Sequence, residues 1–298
     1  MSQDRKPKTV GAIPDAATAE AWKGEAQAWF ESLRDRICAA FEAIEDDGPG
    51  EGRPGRFERK AWDRVNEDGA PGGGGVMGLM RGRVFEKVGV NVSTVSGRFS
   101  EKFAKEIPGA GDDPAFWASG ISLVAHMANP RVPAVHMNTR FIVTSGWWFG
   151  GGSDLNPAIP IAADTEAFHA AFKLACDARG PGEYDRMKEW CDAYFFIPHR
   201  GEARGVGGIF YDYLCDDWAA EFAFTKAVGE AFLDVYPRIA RGRMHEPWTE
   251  EERAHLLFRR GRYAEFNLVY DRGTRFGLMT GGNPEAILMS LPPIATWS

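Results

Sequence analysis

Two runs of alternating apolar and polar residues, separated by a proline-bounded connection, fill the chain between residues 121 and 143. Residues i and i+2 of a strand share a face, so the alternation predicts a β-hairpin with one apolar and one polar face. Neither proline of the connection at 129–133 has an N–H for a central ladder, which predicts a turn there. The polar face would carry Ser122, His126, His136, Asn138 and Arg140.

The pairing of the two strands decides which polar side chains meet. A hairpin symmetric about Arg131 would set His126 opposite His136 and Ser122 opposite Arg140. A slip of one residue would turn the polar face to the other side of the sheet. A solvent-facing hairpin is the alternative interpretation, but solvent faces usually carry Lys, Glu and Thr rather than imidazoles and amides.

The composition restricts the class of protein. The 298 residues, 44% hydrophobic and 26% charged, are typical of a soluble globular protein with a sizeable core. A net charge of −7 argues against a general nucleic-acid binder. No run reaches the roughly 18 apolar residues of a membrane span, and no signal peptide is recognised. The four cysteines form no CxxC pair and indicate reduced thiols in a cytoplasmic protein.

Hydrophobic spacings of three and four predict helices, whereas alternation predicts strands. The predicted helices cover residues 18–45, 100–106, 164–178 (capped by Asp164), 184–195 and 217–236, and another opens at a Thr249 capping box. Strands are predicted over 76–96 and 209–212, a glycine-rich turn over 70–75, and a second hairpin from strands 266–270 and 275–280. We therefore expect a flexible tail at residues 1–14 and a single α/β domain over 15–298, with an antiparallel sheet covered by helices.

Common cofactor and nucleophile motifs do not explain this sequence. The glycines at 73, 75 and 78 match GxGxxG, but strands rather than a helix follow them, which argues against a dinucleotide site. A metal site would require distant histidines to converge, and His169, on a helix flank, is more often structural. Asp212 ends an apolar strand after a glycine run, either as an exposed strand-end residue or as a buried acid with partners.

Arginines next to glycines or strand ends are unusually frequent for an acidic protein. They either pair with surface carboxylates or bind a polycarboxylate substrate, because the guanidinium group binds carboxylates in a bidentate manner. The residues are Arg140, Arg200, Arg204, Arg259, Arg260, Arg262, Arg272 and Arg275.

Four long segments resemble the aerobic, oxygen-dependent coproporphyrinogen III oxidase family. They are SLVAHMANPRVPAVHMNTRF, WWFGGGSDLNP, CDAYFFIPHRGEARGVGGIFYD and RRGRYAEFNLVYDRGTRFGLMTGG, in this order between about residues 75 and 293. The resemblance implies the oxidative decarboxylation of two propionates of coproporphyrinogen III to vinyl groups, which gives protoporphyrinogen IX in haem biosynthesis. It implies O2 as co-substrate without an organic cofactor, a flat antiparallel sheet sandwiched between helices, and a homodimer with contacts at about residues 263–298.

The resemblance also assigns roles to individual residues. His136 matches the proton donor, and the matching substrate contacts are Ser122, Asn138, Thr139, Arg140, Gly281 and Gly282. His126, His136, His169 and His199 match positions assigned to a divalent metal in bacterial members. The family commonly has Arg where this chain has Asn283, so a propionate contact there would pass to Arg272 or Arg275.

For Asp212 we hypothesise a catalytic role, the stabilisation of positive charge on pyrrole nitrogens. Two alternative functions are considered: a mononuclear metal oxygenase that uses the four histidines, and a non-enzymatic tetrapyrrole-binding protein. Chelator treatment would identify the first, and binding without release of CO2 in air would identify the second.

Overall fold

A seven-stranded antiparallel sheet, in the order β1–β2–β3–β4–β5–β6–β9, forms the centre of the protein in a computed structural model that describes residues 9–111, 113–279 and 282–297. Its strands are β1 (Glu58–Val65), β2 (Pro71–Met80), β3 (Phe85–Arg98), β4 (Ala115–Met127), β5 (Ala134–Val143), β6 (Trp147–Asn156) and β9 (Gly207–Leu214), and a separate small pair is formed by β7 (Phe196–Ile197) and β8 (Glu202–Ala203). The helices are α1 (Ala16–Asp47), α2 (Glu101–Ala104), α3 (Ala162–Asp177), α4 (Glu183–Tyr194), α5 (Trp218–Arg243), α6 (Glu250–Val269), α7 (Arg272–Met279) and α8 (Pro284–Leu288). The expected α/β fold with a large antiparallel sheet between helices is confirmed.

The apolar face of the sheet forms the main core. Helices α1 and α5 pack on it, because each has an apolar stripe that is buried in one cluster with strand residues such as Ile121 and Leu123, and α3 packs beside α5 and β9. Phe141 and Phe149 stack on neighbouring strands of this face, with ring centroids 4.6 Å apart. This packing fixes the position of the sheet and therefore of the side chains on its other face.

The central hairpin has the predicted polar face but a different register. Ser122 lies opposite Asn138 and Val124 opposite His136, so the pairing is displaced by two residues from a hairpin symmetric about Arg131. Because side chains alternate with a period of two, a two-residue displacement leaves every side chain on its predicted face. The predicted pairs of His126 with His136 and of Ser122 with Arg140 are wrong, whereas the polar face is confirmed.

The polar face is only partly covered. Tyr194 of α4 stacks on Phe210 at 4.5 Å between ring centroids, and Tyr263 of α6 meets the His126 ring edge-on at 5.0 Å. Beyond them, Met289, next to α8, lies against Gly89 of β3. Between these covering elements the middle of the face stays half-buried, which leaves a floor where a ligand can lie.

Three local predictions are corrected. Residues 70–75 belong largely to strand β2 rather than to a turn, and residues 266–279 form the end of α6 and then α7 rather than a hairpin. Helix α3 begins two residues earlier than expected without a side-chain cap, and Asp164 instead pairs with Arg243 at 2.9 Å. The other predicted helices and the strands at 76–96 and 209–212 are confirmed to within a few residues, except that α2 has four residues and α5 continues to Arg243.

The last part of the predicted N-terminal tail is held against the sheet. Gly11 pairs with Trp147 through backbone hydrogen bonds of 2.9 and 3.1 Å, and the Trp147 indole N–H donates to Ala12 O at 3.0 Å. Gly11 and Ala12, within the predicted flexible tail, thus contact the sheet, and residues 1–8 lie outside the described part. Within the described residues, no helix is long and apolar enough to cross a membrane.

Candidate active site

A row of polar side chains crosses the half-buried floor from strand to strand. Ser122 of β4 lies opposite Asn138 of β5, and in the neighbouring row Gly120 lies opposite Arg140. On the other side of β5, Asn138 and Arg140 lie opposite Gly152 and Gly150 of β6. Glycines thus flank the polar groups and leave room above them. Ser122, Asn138 and Arg140, predicted from strand alternation, are brought together by the fold.

Arg140 is held in an ion pair with Asp212. Its Nη2 lies 2.8 Å from Asp212 Oδ2, and its Nη1 donates to Asn138 Oδ1 at 3.2 Å. Burial favours the neutral guanidine, but the Asp212 charge outweighs burial and raises the pKa of Arg140 above its ordinary value. The Asp212 side chain is only 10% exposed, so of the two interpretations the partnered acid is confirmed.

A β-bulge turns Asp212 towards the floor. Gly150 of β6 faces two residues of β9, Asp212 and Tyr213, because the pairing shifts between Phe149 and Gly151. Tyr213 has φ of 56°, the only positive φ of a non-glycine residue in the described chain. Such a conformation costs about 1–3 kcal/mol and often accompanies functional sites, which agrees with the position of Asp212 beside Arg140.

Gly150 gives the Arg140–Asp212 pair its space. A Cβ atom at this position would lie 2.4 Å from Asp212 Oδ1 and 2.8 Å from Arg140 Nη2. Gly150→Ala is therefore expected to separate the two charges and to raise KM at least about ten-fold, equivalent to ~1.4 kcal/mol. Steady-state kinetics would test this, with Gly242→Ala as a control because nothing lies within 4 Å of a Cβ there. An unchanged KM for Gly150→Ala would contradict the requirement.

His136 is oriented by a buried carboxylate. Its Nδ1 lies 2.8 Å from Asp154 Oδ1, directly across from it on β6. A carboxylate only accepts hydrogen bonds, so Nδ1 carries the hydrogen and Nε2 is left for another partner. The His136 side chain is 17% exposed, whereas that of Asp154 is 1% exposed. The imidazole is therefore fixed from behind and reachable from the floor.

Arg204 completes this arrangement. It forms bonds of 2.9 and 2.7 Å to the two oxygens of Asp154, and its guanidinium lies 4.0 Å from the centroid of the Phe195 ring and 4.8 Å from that of Phe266. Burial alone would raise the pKa of Asp154, but Arg204 and His136 outweigh it and lower the pKa to about 2. Asp154 thus stays charged and keeps its hold on His136.

Asp154 and Arg204 form the part of the site that the sequence analysis missed. Asp154 lies in the WWFGGGSDLNP segment, and Arg204 is one of eight arginines next to glycines or strand ends. Strand alternation from Gly150 and Gly152 places Asp154 on the floor side of β6. A carboxylate within a strand whose residues are all buried is the signal that could have identified it.

The four histidines implied as metal ligands have separate partners. The partners are Ser290 O for His126, Asp154 for His136, Tyr184 and Val206 O for His169, and Tyr270 and Glu265 for His199. Burial lowers the pKa of His126 to about 3. Across the three described ranges, no three His, Cys, Asp or Glu side chains converge as a ligand set. Within this chain the four histidines are not arranged to bind one metal ion together. The proposed reaction therefore has no metal-dependent step.

The remaining predicted substrate contacts lie in different surroundings. The Thr139 side chain is fully buried on the opposite face of the sheet from Asn138 and Arg140, so only its backbone can reach the floor. Asn283 caps α8, and its Oδ1 accepts a hydrogen bond from Glu285 N at 2.9 Å. Its uncharged side chain therefore has a structural role in this chain. Gly282 packs near Ile287, and Gly281 lies outside the described residues.

Comparison with known proteins identifies relatives of the whole domain. The family described as "Coproporphyrinogen III oxidase" matches residues 25–298. The oxygen-dependent coproporphyrinogen-III oxidase of Rickettsia bellii strain RML369-C is 57% identical over 273 residues, 91% of this chain and 96% of the relative. The protein of the same name from Rickettsia akari strain Hartford is 56% identical over 268 residues, 89% of this chain and 94% of the relative.

Proposed function

The chain belongs to the coproporphyrinogen III oxidase family, and we propose that it converts two propionates of coproporphyrinogen III to vinyl groups with O2 as oxidant, giving protoporphyrinogen IX in haem biosynthesis. The observation that carries this assignment beyond the family is the polar row of Ser122, Asn138 and Arg140 beside an oriented His136 on a half-buried floor. Such a floor suits a large apolar macrocycle whose edges carry carboxylates.

The atoms and charges of each decarboxylation balance with one O2 and one proton. A propionate R–CH2–CH2–COO⁻ with O2 and one proton gives R–CH=CH2, CO2 and H2O2. The carbon next to the ring loses a hydride equivalent, the bond to the carboxylate breaks, and its electron pair forms the vinyl double bond. The electron-rich pyrrole assists this loss, so the proposed reaction needs no organic cofactor.

We assign proton delivery to His136, in agreement with its family position. The reaction consumes one proton for each vinyl group, and a histidine can supply it near neutral pH. Its Nε2 has no hydrogen-bond partner among the described residues, while Nδ1 is held by Asp154. Asp154 keeps the ring in one tautomer and one orientation.

We assign propionate binding to Arg140, assisted by Ser122 and Asn138. Two hydrogen bonds to Asp212 and Asn138 use part of the guanidinium and leave other N–H groups for a carboxylate. Asp212 holds Arg140 in place, and its remaining lone pairs can face positive charge that develops on a pyrrole nitrogen. The backbone of Thr139 and the segment 281–283 are further proposed contacts.

Aerobic turnover by metal-free protein tests the proposed function. Protein treated with a chelator and dialysed is incubated with coproporphyrinogen III in air, and the vinyl product is followed by chromatography. We expect protoporphyrinogen IX and CO2 without added metal, because no proposed step requires one. No product with or without added divalent metal would contradict the oxidase. Turnover that returns only with one metal would restore the metal oxygenase as the function.

The oligomer and the location are further proposals. We propose a homodimer with contacts in residues 263–298, supported by exposed apolar side chains in this region: Leu268, Val269, Leu278, Met279, Ile294 and Trp297. Light scattering of the purified chain measures its mass directly.

We also propose a cytoplasmic location, supported by four free cysteines.

A further inference from the structure

Trp62, on the edge strand β1, lies over a glycine on the floor side of the sheet. It pairs with Gly75 of β2, and a Cβ atom on Gly75 would lie only 2.6 Å from Trp62 Cζ2. The glycine run that looked like a cofactor motif therefore seats an indole ring at this position. The ring is half-buried although it belongs to the outermost strand.

Trp62 also orients Asn91 of β3. Its indole Nε1–H donates to Asn91 Oδ1 at 3.2 Å. Indole nitrogen only donates, so the amide oxygen must face Trp62 and the amide nitrogen must face away. Asn91 Nδ2 has no partner within the ranges that the structure describes, and it remains a donor for a ligand.

The two residues extend the polar floor in register. Asn91 lies directly opposite Ser122, which lies opposite Asn138, so three adjacent strands present three polar side chains in one line. In the neighbouring row, Trp62 and Arg140 stand on β1 and β5. Four strand spacings separate them, about 19 Å at the usual 4.8 Å per strand.

The floor between Trp62 and Arg140 is low. The residues of this row between them are Gly75, Ser93 and Gly120, and small side chains allow a flat molecule to approach the backbone closely. Its length suits a tetrapyrrole with its propionates, whereas a single carboxylate would need only the Arg140 end.

We propose that Trp62 and Asn91 form the far end of the substrate cleft. The Trp62 indole packs on the face of the macrocycle, and Asn91 Nδ2 donates to a propionate at a ring distant from Arg140. The inference rests on the proposed function, and it adds two specificity-determining residues to that site. A second carboxylate contact so far from the first selects for a ligand of the full tetrapyrrole width.

Binding of reduced coproporphyrinogen III under argon tests this, because the absence of O2 stops turnover and isolates affinity. Free ligand is separated by rapid ultrafiltration, oxidised and quantified by absorbance. Asn91→Asp is the decisive variant: it keeps an acceptor for the Trp62 N–H but replaces the donor with a charge that repels a carboxylate. We expect its Kd to rise about ten-fold or more, with an unchanged thermal midpoint.

Changes at Trp62 provide the second measurement. Trp62→Ala is expected to raise Kd about ten-fold, and Trp62→Phe, which keeps an aromatic face, less than about three-fold. Trp248→Ala is the matched control, since Trp248 is 42% exposed and lies outside the cleft. Its Kd should equal that of the wild type.

Several outcomes would overturn the inference. Wild-type Kd values for Asn91→Asp and Trp62→Ala would do so, whether or not the thermal midpoint or the oligomer changed, because the pair would then be structural only. If Trp62→Ala does not fold, the Kd of Asn91→Asp decides alone. If the wild-type chain makes vinyl product and these variants bind the ligand normally, this inference alone is wrong. If the wild-type chain neither binds nor converts coproporphyrinogen III, the proposed function is wrong as well.

Discussion

His136→Ala is expected to lower kcat by about 10²–10⁴-fold, the usual contribution of a positioned proton donor. The Kd for coproporphyrinogen III under argon should change little, because the proposed binding groups Arg140, Asn138 and Ser122 remain. Single-turnover measurements in air would separate the chemical step from binding and product release. The expected pattern is thus a loss in kcat with nearly constant affinity.

The control for this variant is His255→Ala, because His255 is exposed on α6 away from the floor. It should retain wild-type kinetics. A His136→Ala enzyme with more than about a tenth of the wild-type kcat would mean that water supplies the proton efficiently. A large loss of affinity with constant kcat would instead make His136 a binding residue.

The polar face of the central hairpin could be predicted because alternation has a period of two. Ser122, His136, Asn138 and Arg140 lie on the same face at any even displacement of the strands. The register itself depends on the geometry of the turn, where Val132 N donates to Asn129 O and shifts the centre away from Arg131. Composition and alternation contain no information about that displacement.

The second predicted hairpin shows where short apolar runs mislead. The short apolar runs at 266–270 and 275–280 on either side of Asp271-Arg272-Gly273 predict two strands. In the structure α6 continues through the first run, and Asp271 starts the next helix by accepting from Thr274 N at 2.7 Å. Asp271 is therefore a helix-initiating residue and not the corner of a hairpin.

The ion pair of Asp154 with Arg204, which supports His136, could not be predicted, because the two residues are distant in sequence. Asp154 and Arg204 are 50 residues apart, and the aromatic side chains around Arg204 come from two further elements. Local patterns predict strands, helices and faces, whereas ion pairs of this kind depend on the tertiary arrangement of loops. The resemblance to a family assigns a proton-donor role to His136 but does not name the residues that hold it.

Arg204→Met is expected to lower the free energy of unfolding by about 3–5 kcal/mol, because it leaves the Asp154 charge buried without its cation. Both side chains are at most 2% exposed, so water cannot replace the lost partner. Urea unfolding at pH 7 would measure the change. Arg200→Met is the matched control: its pair with Glu265 is partly exposed, and its loss should cost less than about 1 kcal/mol.

The pH dependence of unfolding distinguishes this ion pair from simple packing of Arg204 between aromatic rings. The pKa of Asp154 is about 2 in the folded chain, and about 3.9 is normal for an unfolded chain. Because the folded value is the lower one, its contribution of about 2–3 kcal/mol is present above pH 4 and is lost as the pH falls towards 2.

In Arg204→Met the free energy of unfolding should no longer fall between pH 4 and 2. Without the guanidinium, nothing favours the Asp154 charge strongly enough to offset its burial. Adding Asp154→Asn should recover part of the stability at pH 7, since the double variant buries no unpaired charge. It should not recover kcat, because an amide at 154 can donate to His136 Nδ1 and favour the wrong tautomer. Recovery of both properties would mean that Asp154 serves folding alone.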